Sequence, residues 1–532
     1  MVRRPPGTGA ARAGIVALGL LVVVPALGLL VHAVDPPADP FGGAPPSLAT
    51  LLMAPGTAGL VLRTLALAAG VSTGSVVLGT LLAWSEHRLD LPGARWLGML
   101  TLLPLALPSY IVAGTVRSAM GRGGWLGSAL GLDGFTGLPA AVLVLTVATT
   151  PYVQLVVGAA LTRIGASTEE AARTLGASPW RAFRHGTLPA LRPALAYGAL
   201  ISLLYAASDF GAVAVLDAPV LTWRLFEAVT HQDLARATLY ALLLLAVVAP
   251  LYTGGRWLRG RDEGRGASNP RPPDRRRPGL LLAVAVGLAM GVVLGVGLVL
   301  PVGAQLAWVW DGIQRNLTFA PILEPVLHSV GVASVAAVLT VLLALAPAWG
   351  AGHERSVWRT AGEQLAYLPS AVPGVLVAFG LLLAGLGLTR GLGHPEHYAP
   401  LLASGVLLMA GLALRFVAEA FGPVRAAALR VDPRLWDAAR MLGAPRGRYL
   451  RSVVLPGLSP GVASAAVVVF VAVVKELPVT LVLGSATGLR PLPYRVWDRY
   501  SEALWHDAGL AGLLLVAVAL VGMVLVSRRR HT

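Results

Sequence analysis

Apolar residues run along this chain in blocks of about twenty, separated by short polar and basic segments. Residues 14–34, 65–84, 279–300 and 508–526 are such blocks, and 462–474 is a shorter one. At a rise of 1.5 Å per residue, a helix of about twenty residues crosses the ~30 Å hydrocarbon core of a bilayer. Backbone in lipid must satisfy its own hydrogen bonds, and these runs are too long for barrel strands, so they read as helices. The pattern predicts an all-α integral membrane protein with about twelve transmembrane helices. The expected spans are 14–34, 60–84, 96–118, 138–162, 193–216 and 236–254, then 279–302, 326–349, 361–386, 399–418, 457–483 and 508–526.

Composition agrees. Hydrophobic residues make up 56% of the 532 and charged residues only 13%, too few to keep a soluble chain of this length in solution. The net charge of +16 would suit a nucleic-acid partner, but the arginines follow a topology instead. Arg3, Arg4 and Arg12 precede the first span, eight more lie from Arg256 to Arg277, and Arg528, Arg529 and Arg530 close the chain. With the N-terminus inside, cytoplasmic segments and their borders hold 31 of the 42 basic residues, and outside segments hold ten. This is the positive-inside asymmetry, so both termini are expected in the cytoplasm. The first apolar run has no clean small-x-small cleavage site before Asp35 and reads as an uncleaved span. Cysteine is absent, which excludes disulfides, thiolate metal sites and cysteine nucleophiles.

A Pro-, Gly- and Arg-rich segment at 254–278 reads as a flexible cytoplasmic linker. It divides the chain into a first half, 1–253, and a second, 279–532, each with six spans. The halves repeat one another in residues. Residues 170–189 read EAARTLGASPWRAFRHGTLP and residues 437–456 read DAARMLGAPRGRYLRSVVLP. At an offset of 267, ten of these twenty positions are identical. Leu103-Pro104 with Pro108 is matched more weakly by Leu368-Pro369 with Pro373, and the paired prolines predict bent helices.

Both copies of the repeat fall in cytoplasmic loops between the fourth and fifth spans of their half, at 163–192 and 430–456. Ser167 with Glu170 fits a capping box, and Asp432-Pro433 an N-cap followed by proline, so each copy opens a short helix. Gly176 and Gly443 allow a sharp break before a second helical stretch. Leu188-Pro189 and Leu455-Pro456 end that stretch and lead into the next span. Such a helix–turn–helix is suited to transmit force, with small Ala171 and Ala172 allowing close approach.

The pattern EAA, three residues, Gly, nine residues, I-x-LP resembles the signature loop of type I ABC importer permeases, and it occurs twice here. The resemblance implies that Glu170, Ala171, Ala172, Gly176, Leu188 and Pro189, with Asp437, Ala438, Ala439, Gly443, Leu455 and Pro456, form two coupling loops seated on ATPase subunits. Asp437 departs from the family glutamate, and Gly186 stands where an aliphatic residue is usual. No G-x-x-x-x-G-K-[ST] occurs and the single lysine is Lys475, so ATP and Mg2+ belong to a partner subunit and the chain is no enzyme.

Two carboxylates fall inside spans at repeat-equivalent positions, Asp209 and Glu476, with Lys475 beside the second. Intramembrane charges usually face a cavity or one another. Asp209, Lys475 and Glu476 therefore fit either a transport pathway, with Lys475 reaching toward Asp209, or a helix-packing ion pair. SDFGAV at 208–213 and VVKELPVTL at 473–481 resemble fused ferric-iron permeases. That resemblance implies an extracytoplasmic binding protein delivering Fe3+, two copies of an ATPase, and a bacterial inner membrane. Thiamine, polyamine and aminophosphonate permeases share the loop, so those cargoes stay open. An ion-coupled secondary transporter with parallel six-helix repeats is the rival from another class, and a membrane scaffold a third.

No catalytic constellation and no metal site emerge. His394 and His397 would meet at i, i+3 only in a helical turn, and in an outside loop they read as solvated. Thr146, Thr149 and Thr150 are expected to bond their own helix backbone. No bound cofactor is expected.

Overall fold

A computed structural model describes residues 8–34, 48–91, 93–132, 134–164, 174, 176, 178, 181, 183–259, 275, 277–353, 357–432 and 434–528. Every element in the described residues is helical. The first half carries α1 (Thr8–Val34), α2 (Thr57–Arg88), α3 (Ser109–Met120), α4 (Gly137–Arg163), α5 (Leu188–Ser208), α6 (Gly211–Val215), α7 (Leu221–Thr230) and α8 (Leu234–Arg259). The second half opens with α9 (Leu280–Gln314), which passes through a π turn at Gly295–Val299. It continues with α10 (Leu323–His353), α11 (Val357–Ala371), α12 (Gly374–Gly391), α13 (Val406–Arg415) and α14 (Val417–Ala428). It closes with α15 (Arg434–Met441), α16 (Leu455–Val474), α17 (Pro478–Gly484), α18 (Leu492–Ser501) and α19 (Trp505–Arg528).

Among the described residues ten helices are long and apolar enough to cross a membrane, or twelve if each of two bent pairs is one span. The chain is an all-helical, multi-pass membrane protein. One bent pair falls in the span expected at 96–118, where the paired prolines suggested a bent helix, and the other where the apolar pattern suggested a plain span at 399–418. Helix Gly98–Ala106 meets α3 at 97°. Pro108 is extended at that corner, because a proline cannot donate into the preceding turn. Pro373 caps α12 in the same way in the second half. The other pair bends by 64° at Gly405, whose φ of +74° only glycine adopts without strain.

The 267-residue offset extends well beyond the loop. It carries α5 onto α16 and α6 onto α17, and it carries the π stretch Phe183–Thr187 onto Leu450–Val454. Pro189 and Pro456 follow these stretches at the same distance. A missing amide donor in the next turn is a common cause of such local slippage. The Leu-Pro pairs do not end a helix, as expected from sequence, but sit in the first turn of α5 and α16.

The compact units do not coincide with the sequence halves. One unit joins Met1–Leu51 and Leu225–Ala241 to Val309–Thr532, and the other joins Leu52–Arg224 to Leu242–Trp308. The division at 254–278 thus lies inside the second of these. Helix α1 packs on α12, α10 and α11 of the second half, and α9 packs near α2 and α4 of the first. Small residues permit the α1 contact. A Cβ on Gly28 would fall 2.5 Å from the Gly380 carbonyl of α12, and one on Gly380 would fall 2.5 Å from the Pro25 carbonyl. In lipid, such close backbone approach supplies the packing that hydrophobic exclusion cannot. Gly297, in the π turn of α9, is hemmed in the same way by Val147 and Pro104.

Threonines of α4 behave partly as expected. Thr149 and Thr150 donate to the carbonyls of Leu145 and Thr146 at 2.7 Å. Thr149 also pairs with the Ser75 hydroxyl of α2 at 2.6 Å, a bond between helices, while the Thr146 hydroxyl has no partner.

Candidate functional site

The second repeat loop is built on helix α15. The Asp432 carboxylate accepts the Arg434 amide at 2.8 Å, the N-cap its sequence suggested. At the other end, the Ala444 amide reaches the Ala439 carbonyl and the Gly443 amide the Arg440 carbonyl, both at 2.9 Å, with Gly443 at φ +72°. This is a Schellman closure, which needs a left-handed residue at that position. Asp437 is exposed and Ala438 and Ala439 are half-buried, so the small residues form a shallow face beside an accessible acid. Leu435, Met441 and Leu442 project 46%, 83% and 86% exposed.

Two aromatics hold this loop, and the sequence reading passed over both. Trp436 and Tyr449 pack at 5.1 Å in a buried cluster with Trp349 of α10, Ala427 and Ala428 of α14, and Ala11 of α1. Burial and the nearby Asp432 carboxylate push the Tyr449 hydroxyl above its ordinary pKa. The signal available in sequence was an aromatic pair flanking the Ala-Ala face. In the first copy the equivalent positions are Glu169 and Ala182.

Of the first loop, Glu170, Ala171 and Ala172 lie outside the described residues, as do Ser167 and the expected capping box. Gly176 has φ +81°, matching Gly443, and both are exposed. Phe183 packs edge-on against Trp84 of α2 at 4.7 Å, which ties the π stretch to the helix bundle. Leu188 is half-buried and Pro189, Leu455 and Pro456 are exposed. Arg88, at the end of α2, donates to the Ile164 carbonyl at 3.0 Å where the loop leaves α4.

Both carboxylates that were expected inside spans sit at helix breaks. Asp209 is extended and ends α5. Its Oδ1 accepts the Ala212 amide of α6 at 2.9 Å, and its Oδ2 accepts the Ser109 hydroxyl of α3 at 2.6 Å. Thr222 donates to its carbonyl at 2.7 Å. Gly211 is needed next to it, since a Cβ there would fall 2.9 Å from Tyr110 Cβ and 3.1 Å from its ring. Glu476 repeats the plan: its Oε1 lies 3.4 Å from the Val479 amide of α17, and Thr480 donates to its carbonyl at 3.1 Å. Each acid thus answers a free amide at the start of the short helix that follows it. Both acids and Lys475 are half-buried.

Arg415 joins the second site and was not singled out from sequence, although an arginine at the end of an apolar span was the signal. A Cβ at Gly374 would fall 2.8 Å from Glu476 Oε1 and 3.5 Å from Arg415 Nε. The acid and the guanidinium therefore converge on a bare glycine. Arg415 also donates to the Ser370 carbonyl at 3.4 Å. Nearby, Glu363 of α11 binds Arg425 of α14 at 2.8 Å and Arg359 at 3.2 Å.

Duplicated helical segments, a left-handed glycine in each repeat loop and acids at helix breaks describe a polytopic membrane protein built from a repeated unit. The chain belongs to the family of binding-protein-dependent transport system inner membrane components, whose model matches residues 75–261 and 341–529. It is thereby a type I ABC importer permease carrying that unit twice, a transport component rather than an enzyme. Across 88% of its length it is 26% identical to the Fe(3+)-transport system permease protein FbpB 2 of Haemophilus influenzae, covering 89% of that protein. Across 48% of its length it is 30% identical to Sulfate permease 2, chloroplastic, of Chlamydomonas reinhardtii, covering 68% of that protein. Across 34% it is 35% identical to the sulfate transport system permease protein CysW of Escherichia coli, covering 65%.

Proposed function

We propose that this chain is the permease of an ATP-driven ferric-iron importer. The observation that carries the reading is full-length similarity to a Fe(3+)-transport permease, across both halves and the segment joining them. Chemistry supports it: Fe3+ is a hard cation that prefers oxygen ligands, and each half places a carboxylate at a break in a span. In this reading an extracytoplasmic binding protein delivers the cargo. Two copies of an ATPase, which supply ATP and Mg2+, bind the loops around Gly176 and Gly443. ATP binding draws the loops together, and the spans rock between inward- and outward-open forms. Asp209, Lys475 and Glu476 belong to the transport pathway, with Arg415 as a fourth charge. Both termini face the cytoplasm of a bacterial inner membrane.

A sulfate reading has its own support, in two sulfate permeases that match single stretches at 30% and 35% identity. Arg415 and Lys475 are the groups an oxyanion would use. Competition for uptake between labelled Fe3+ and labelled sulfate separates the two. Iron accumulation untouched by excess sulfate supports the first reading, and the reverse pattern rejects it.

A further inference from the structure

Between α12 and α13 the chain makes a 3-10 turn, Pro395–His397, where the sequence pattern suggested only a solvated loop. The turn meets the condition under which His394 and His397 would come together. Their rings stack with centroids 5.0 Å apart. Glu396 Oε1 lies 2.9 Å from His394 Nδ1. One donor atom from each of the three residues lies within 4.8 Å of the other two, and all three side chains are exposed.

The turn is tied down on both sides. The His394 amide donates to the Thr389 carbonyl at 2.8 Å, and the Gly393 amide to the Arg390 carbonyl at 2.9 Å, which ends α12. Gly393 takes φ +77° there, so the reversal needs a glycine. The His397 amide donates to the His394 carbonyl at 3.1 Å. Tyr398 Oη then reaches back to the Leu382 carbonyl of α12 at 3.2 Å, fixing the residue after the triad to a span. The three donors thus project from one braced turn, and ordering them takes little further entropy.

We infer that His394, Glu396 and His397 form a binding site for a first-row divalent cation of the zinc class. Two imidazole nitrogens and one carboxylate are a common three-ligand set for Zn2+, with the fourth position left to water or a partner group. Donors on one tetrahedral ion at about 2.0–2.1 Å stand about 3.3 Å apart. The His394–Glu396 separation is already near that spacing, and a 4.8 Å limit leaves side-chain rotation to close the rest. Imidazole suits borderline divalent ions such as Zn2+, Co2+, Ni2+ and Cu2+, and the site does not depend on what the cargo is.

The test uses the full chain in detergent, purified with an affinity tag that contains no histidine. Co2+ is titrated in and read by its visible d–d absorption, and Zn2+ is added to displace it. The expected result is one equivalent of Co2+ bound with a tetrahedral-type spectrum and displaced by Zn2+. His394→Gln/His397→Gln should weaken binding by more than about 100-fold, beyond what losing a supporting residue ordinarily does. Glu396→Gln should weaken it by about 10-fold or more and carries the test if the double variant fails to fold. Equal binding by wild type and both variants, or no Co2+ or Zn2+ binding by wild type up to about 1 mM, overturns the site.

Discussion

At the scale of single residues, Asp209 and Glu476 do two jobs that substitution can separate. Each accepts an amide at the start of a helix that begins within the membrane. Asparagine and glutamine keep an oxygen acceptor there but remove the charge. Asp209→Asn and Glu476→Gln are therefore expected to melt within about 0.5 kcal/mol of wild type. Their uptake should fall by about tenfold or more, the effect of losing one charged contact of roughly 1.5–3 kcal/mol. Asp209→Ala removes the acceptor too and should be less stable by about 0.5–2 kcal/mol, read as a lower melting temperature in detergent. If the asparagine and glutamine variants transport normally, the acids are caps only and the pathway assignment is wrong. The positions of both acids were legible in sequence, because a carboxylate in an apolar run stands out. Their capping role was not, since it depends on where α5 and α16 stop. Arg415 escaped notice for a similar reason. Its place beside Gly374, on the side where Glu476 also approaches, is set by residues far apart in sequence.

At the scale of elements, the two repeat loops show what a repeat can and cannot reveal. Ten identities in twenty positions located both loops, and the Asp432 cap and the glycine closure at Gly443 followed from local chemistry alone. The anchoring did not follow, because Trp436 and Tyr449 find Trp349, Ala427 and Ala11 only after α1, α10 and α14 have assembled. Trp436→Ala should remove about 3–5 kcal/mol of local packing. The expected signature is faster proteolysis at 432–450 and a large loss of uptake, with the spans still folded by circular dichroism. Normal protection of this loop in the variant would show that the aromatic pair does not hold it. Gly443→Val puts a β-branched residue at φ +72°, where it is strongly disfavoured, and should uncouple ATP hydrolysis from transport. The bend in the span expected at 96–118 was legible in its paired prolines and falls at Pro108. A plain span was expected at 399–418, and it is bent at Gly405, a local backbone setting that hydropathy averaged over a window cannot register.

At the scale of the whole molecule, each compact unit draws on both sequence halves. Helix α1 finds its partners in α10, α11 and α12, more than 280 residues further along the chain. Residues 1–253 or 279–532 expressed alone would leave α1 or α9 without its packing surface. Neither fragment should be recovered as a stable species from membranes, whereas co-expression of the two should yield one complex by size exclusion. Recovery of a well-folded single half would contradict the exchange. A bulky residue at Gly28 tests the same contact, since a Cβ there would already meet backbone at 2.5 Å. Gly28→Leu should destabilise the full chain by about 1–3 kcal/mol through overpacking. The twelve-span plan and its tandem duplication were readable from hydropathy and the 267-residue offset. The exchange was not, because helix pairing in lipid is decided by small-residue surfaces and not by order along the chain.

The most direct test of this importer reading is uptake into proteoliposomes holding the chain, its ATPase and its binding protein, assayed with labelled Fe3+, sulfate, thiamine and putrescine. The expected result is ATP-dependent accumulation of Fe3+ alone, abolished in the Gly176→Asp/Gly443→Asp double variant. Accumulation of another of these substrates would leave the permease standing and reject iron, whereas accumulation driven by an ion gradient without ATP would contradict the mechanism.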